Sequence, residues 1–150
     1  MSYVGDSLGP GETIVHEATI HWIVYFWPIV AVIVGLAATV FAWPYGLAVL
    51  AAAALWLLEA WFLSRTTELA VTSRKVVAKW GLVARSTIEQ RLEKVDSISV
   101  DQTFLGRVLN FGNVTVHGTG INATPIKMIA DPLVFRRKVE QAIEARRDVG

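Results

Sequence analysis

The chain has 150 residues, 14 of them basic and 13 acidic, and no cysteine, so disulfides, thiolate nucleophiles and sulfur-ligated metals are excluded. A mean hydropathy of +0.46 is high for a soluble domain, and its origin is local. Ala18 to Leu58 runs without one Asp, Glu, Lys or Arg, and all 14 basic residues follow it.

Residues 1–19 read as a short acidic N-terminal segment on the cytoplasmic side. The apolar stretch comes next. At about 1.5 Å per helical residue it is long enough to cross a hydrocarbon layer of about 30 Å twice. Pro44, Tyr45 and Gly46 lie just past its middle, which predicts a membrane α-helical hairpin over 20–63 with crossings at 22–42 and 46–63. Pro28 falls in the second turn of the first crossing, where a mild kink is expected rather than a break. Trp22, Tyr25, Phe26 and Trp27 match Trp56, Trp61 and Phe62 in depth, and Phe41, Trp43 and Tyr45 gather at the turn, as two interfacial belts would.

No basic residue precedes the first crossing, which argues against a cleaved secretory signal. The turn is also free of basic residues, whereas Arg65, Arg74, Lys75 and Lys79 follow the second crossing closely. The positive-inside rule therefore predicts both termini in the cytoplasm. Small residues at Ala31, Gly35 and Thr39, and at Ala48, Ala51 and Ala52, offer faces that close the hairpin or form a homo-oligomer seam. Glu59 is the single acid within the crossings. Its position near the cytoplasmic interface predicts a polar contact with Tyr25 or His21, or snorkelling; the alternative is an ion relay in a small oligomeric channel.

Past Ser64 the hydrophobic period changes to two, and residues 64–150 read as a cytoplasmic domain with nine acidic groups against 14 basic ones. Strands are predicted over 66–72, 75–80, 82–91, 97–103, 113–117 and 125–129, with one or two helical turns at Phe104, Leu105, Val108 and Leu109. Asp131 and Pro132 read as an N-cap and first helical residue, opening an amphipathic helix over about 132–147 with Phe135, Val139, Ala142 and Ile143 as its apolar stripe. The expected domain is α+β or mainly β: a single bent antiparallel sheet or partial barrel, capped by the C-terminal helix.

Thr72-Ser73-Arg74-Lys75, Gly81, Glu93-Lys94-Val95-Asp96-Ser97-Ile98, Gln102 to Arg107, Phe111-Gly112-Asn113 and Asp131-Pro132 with Phe135-Arg136 follow one another in an order that resembles the bacterial pleckstrin-homology-like (PH-like) domains, over about 66–145. Gly11-Glu12 and His21-Trp22 ahead of two membrane helices are similar to that family's frequent layout. The resemblance implies a bacterial inner-membrane protein with a binding or scaffolding role and no catalytic residue. It does not carry inositide specificity, because the connection holding Arg74 and Lys75 is very short.

The residues themselves offer little chemistry. His16, His21 and His117 are not spaced as metal ligands, so no metal or cofactor is expected. Gly112, Gly118 and Gly120 lack the Gly-Lys-Ser/Thr of a phosphate loop and read as turn residues. Arg136, Arg137 and Lys138 are interleaved with Glu140 and Glu144, a solvated face rather than a nucleic-acid surface. Arg65, Arg74, Lys75 and Lys79 are the candidate contacts to anionic headgroups. The expected partners are the lipid bilayer, an unidentified protein and a second copy of the chain.

Overall fold

A computed structural model describes residues 8–81, 86–120, 123 and 125–148. The chain forms two units, an apolar one over His21–Arg65 and a polar one built from the residues on both sides of it.

In the apolar unit a 3₁₀ turn (Trp22–Tyr25) leads into α1 (Phe26–Phe41), and Ala42 alone separates α1 from α2 (Trp43–Thr66). The second helix therefore begins ahead of Pro44 instead of after it. Proline is tolerated there because the first turn of a helix has no intrahelical acceptor for its N–H. The Ala42 carbonyl accepts the N–H groups of Tyr45 and Gly46, each at 3.0 Å. Pro28 and Gly35 are buried on α1, and Gly46, Ala53 and Ala60 on α2. The spacing of 46, 53 and 60 is seven, with half-buried Leu50, Leu57 and Ser64 between and after them, which is the pattern of a closely packed helix pair. Ala48, Ala51 and Ala52, the small face expected to close the hairpin, are instead exposed. The outward surface is large and apolar, including Trp27, Ile33, Val40, Phe41, Trp43 and Leu55.

The polar unit holds seven described strands in two antiparallel sheets, in the orders β1-β2-β3-β4 and β5-β6-β7. The first comprises β1 (Ile14–Ala18), β2 (Glu68–Thr72), β3 (Lys75–Trp80) and β4 (Ser86–Arg91); the second comprises β5 (Val95–Asp101), β6 (Phe111–Gly118) and β7 (Ile126–Ala130). Helix α3 (Phe104–Leu109) joins β5 to β6, and α4 (Pro132–Arg147) follows β7. The first four residues of the strand expected over 82–91 lie outside the described residues.

The expected sheet architecture is corrected at two points. The sheet is not single, because a 3₁₀ turn (Leu92–Lys94) breaks the chain after β4 and β5 pairs only with β6. The Gln90 side-chain amide fixes that corner by donating to the carbonyls of Lys94 at 3.0 Å and Thr119 at 3.3 Å. The N-terminal segment, in turn, supplies a strand: β1 pairs with β2 across the whole hairpin, Ile14 with Thr72 and Ala18 with Leu69. Beyond β1, Ile20 bridges to Ile129 and the Thr19 carbonyl accepts the Ala130 N–H at 2.9 Å, which joins the two sheets at one corner.

One core lies between the sheets and α4. Leu69, Val71, Val76 and Ala78 come from the first sheet, Ile98, Val114, Val116, Ile126 and Ile129 from the second, and Phe135, Val139 and Ala142 from the helix. The α4 stripe read from the sequence is thus the face that packs, with Ile143 at its margin. Asp131 precedes Pro132 as expected but does not cap with its side chain: its carboxylate accepts from the Asn110 amide instead. Gly112 and Gly118 are strand residues of β6, not turn residues. A Cβ on Gly118 would lie 2.4 Å from the Lys94 carbonyl oxygen, so only glycine lets the two segments approach.

Candidate functional site

Strand direction divides the polar unit into two ends. Ala18, Leu69, Ala78 and Ile88 are aligned toward one of them, where the chain leaves for the helices and returns. Thr72, Lys75 and Arg91 lie at the other, three strand residues away, or about 10 Å. Of the basic residues singled out in the sequence, Lys79 therefore lies apart from Arg74 and Lys75. Lys79 sits near the junction, opposite Glu68 and Thr87. Arg74 and Lys75 are at the far end. Arg65, in the helical unit, stacks its guanidinium 5.7 Å from the centre of the Trp61 ring.

The far end holds a charged cleft of about 520 Å³, lined by Gly9, Glu12, Arg74, Lys75, Glu89, Arg91, Glu93 and Arg146. Each of its carboxylates is engaged. Glu89 pairs with Lys75 at 2.8 Å, and Glu93 with Arg146 at 2.8 Å. Glu12 accepts the Thr72 hydroxyl at 2.5 Å and the Gly9 N–H at 2.8 Å. Burial raises the Glu12 pKa, but those two hydrogen bonds and the charges of Lys75 and Arg74 outweigh it and hold the carboxyl below its ordinary value of 4.5. Arg146, through its hydrogen bond and its charge, likewise lowers Glu93.

Thr72 organises this end. It is fully buried, and its hydroxyl oxygen also accepts the N–H groups of Lys75 at 3.0 Å and Arg74 at 3.3 Å, closing the β2–β3 turn. Among the described residues, the Arg74 and Arg91 guanidinium groups make no ion pair and are exposed, so they are the cations left to meet a ligand. On the other side of the Glu93–Arg146 pair a pocket of about 280 Å³ is lined by Leu92, Val95, Ile143 and Arg147. Glu12, Arg91 and Arg146 carry no local signal of a shared site in the sequence; only the register that sets Lys75 opposite Arg91 brings that cation in.

The polar residues expected to meet between the crossings are arranged differently. The Tyr25 hydroxyl hydrogen-bonds the Ser64 hydroxyl at 2.5 Å, and Ser64 also donates to the Trp61 carbonyl. Glu59 is exposed on α2 and has no hydrogen bond or ion pair among the described residues. His21 caps the 3₁₀ turn, its Nδ1 accepting the Ile23 N–H at 3.2 Å, with its ring against Trp22. His117 hydrogen-bonds Ser99 across β5 and β6 at 3.0 Å. Among the described residues no group of His, Asp and Glu is placed to hold a metal ion.

A hairpin of two helices long and apolar enough to cross a membrane is thus inserted between adjacent strands of a two-sheet domain closed by a C-terminal helix. The sequence pattern of the bacterial PH domain matches residues 18–148, hairpin included. The chain belongs to that family. No curated protein and no solved structure matches it.

Proposed function

We propose that this chain is a non-catalytic PH-like module anchored in the bacterial inner membrane by its hairpin, with both termini in the cytoplasm, and that it gathers a protein partner at the membrane surface through the far-end cleft. The observation that carries this reading is the inverted packing of the helical unit. Its seam is made of Gly35, Gly46, Ala53 and Ala60, while Trp, Phe, Ile, Leu and Val side chains point outward. In water such a surface would aggregate; in lipid it is the expected arrangement.

The absence of basic residues at the turn and their abundance after Leu63 support the orientation. Arg65 and Lys79, near the points where the chain enters and leaves the hairpin, suit anionic headgroups, each contributing about 1 kcal/mol at a charged leaflet. Arg74 and Arg91 suit an acidic segment of a protein partner.

The test combines fractionation with cross-linking in cells. After an alkaline carbonate wash the chain stays with the membranes, and protease removes tags from both ends only in inverted vesicles. A photo-cross-linker placed at position 91 captures a discrete partner, and Arg74→Glu abolishes the capture. Recovery of the chain in the carbonate supernatant, or tags cut from outside intact cells, would overturn the anchor. An unchanged adduct in Arg74→Glu would overturn the role of the cleft.

A further inference from the structure

Helix α3 carries four large apolar side chains and buries none of them. Phe104 is 80% exposed, Leu105 63%, Val108 66% and Leu109 37%. Its single buried residue is Gly106. The helix is held by polar contacts instead. Thr103 caps it by accepting the Gly106 N–H at 3.1 Å. The Gln102 amide donates to the carbonyls of Gly106 at 3.3 Å and Phe111 at 3.0 Å. Asn110, in the left-handed conformation, ends it and binds the Asp131 carboxylate. A Cβ on Gly106 would lie 2.6 Å from the Phe111 carbonyl oxygen, so the helix is pressed against β6 by its one small face.

Single exposed apolar residues need no explanation, but an adjacent group fixed in place does. Its place in the chain bears on what covers it. Helix α3 follows the junction end of β5, and the Asn110 carbonyl accepts the Asp131 N–H at 3.0 Å, beside the Ala130 to Thr19 bond where β1 runs out toward the hairpin. Thr19 and Ile20 are all that stand between β1 and the first apolar unit residue, and Thr67 all that stands between α2 and β2. At about 3.5 Å per residue, such tethers keep this end of the domain close to whatever holds the hairpin. Exposed Arg107 projects from the same helix, with Asp101 the nearest exposed acid in sequence.

We propose that α3 is a second membrane contact: Phe104, Leu105 and Val108 lie in the headgroup–acyl boundary of the bilayer that holds the hairpin, with Arg107 at the lipid phosphates. This rests on the anchoring proposed above.

Because the chain has no cysteine, single labels can be placed without background. Full-length chains carrying Phe104→Cys, Leu105→Cys or Val108→Cys are labelled with a polarity-sensitive fluorophore in phosphatidylcholine–phosphatidylglycerol vesicles, then exposed to lipids bearing acyl-chain nitroxides. Ile33→Cys reports the outward face of α1, and Arg74→Cys the far end. The expected result is blue-shifted emission and loss of signal by quenching at 104, 105 and 108, as at 33, with neither at 74. Unquenched, water-like emission at the α3 positions with quenching at 33 overturns the wedge and leaves the anchor standing. Blue-shifted but unquenched emission there means that protein covers the patch, which also overturns it. No quenching at 33 overturns both readings.

Discussion

Thr72 shows how much one hydroxyl can hold. Its oxygen accepts two backbone N–H groups of the β2–β3 turn, and its proton goes to Glu12, so strand, turn and N-terminal segment meet at one buried atom. Thr72→Val keeps the shape and removes every one of these bonds. Leaving buried donors unmet costs about 1–3 kcal/mol, and a lower thermal midpoint in detergent is the expected measurement. Thr72→Ser, which keeps the oxygen, should recover most of the loss. Glu12 adds a pH dependence whose sign follows from its lowered pKa. The unfolded chain protonates this group near 4.5 while the folded chain still holds it ionised, so its contribution is present in full above that value. It is lost as pH falls through the lower folded value. Glu12→Gln should therefore flatten the decline of stability below about pH 4.5 relative to the parent chain, and an unaltered decline would show that Glu12 carries no stabilising charge.

At the scale of elements, the hairpin depends on a seam that admits almost no side chain. A Cβ on Gly46 would lie 2.3 Å from the Thr39 backbone nitrogen, in contact with atoms that cannot swing away. Gly46→Val should force the helices apart at a cost of about 1–3 kcal/mol, whereas Ala52→Val, on the exposed face, should change little. Thermal unfolding of the two variants in the same detergent compares them directly; equal effects would contradict this seam. Which small residues would face inward was not readable from composition, because both helices are apolar all round and a register must be known before a face can be chosen. The strands were legible for the opposite reason. Val76 and Ala78 point into the core and Lys75 and Lys79 away from it, and such alternation needs no partner to be seen. The cleft was not legible, since Glu12, Arg91 and Arg146 come from three distant segments that only tertiary pairing joins.

For the whole molecule, the telling feature is β1. Ile14-Val15-His16-Glu17-Ala18 buries only Ala18 and shows no clear alternation, and its partner strand lies on the other side of the hairpin. Nothing local marks it as part of the polar unit, so the sequence alone suggests a domain starting near Ser64. The pairing makes a different cut the sound one. Ala18 and Leu69 are register partners, so the loop that the hairpin replaces needs to span only neighbouring strands. A chain in which a short glycine–serine loop replaces residues 21–65 should fold, be far less dependent on detergent and unfold cooperatively, because every core residue of the polar unit is retained. A fragment starting at Ser64 loses Ala18 from the core and bares the edge of β2, whose Leu69, Ala70, Val71 and Thr72 are all fully or almost fully buried. An apolar strand edge opened in this way invites association between chains. Circular dichroism and gel filtration of the two proteins decide the matter: a folded, monomeric fragment alongside an aggregated hairpin-less chain would mean that β1 is an accessory to the domain and not its first strand.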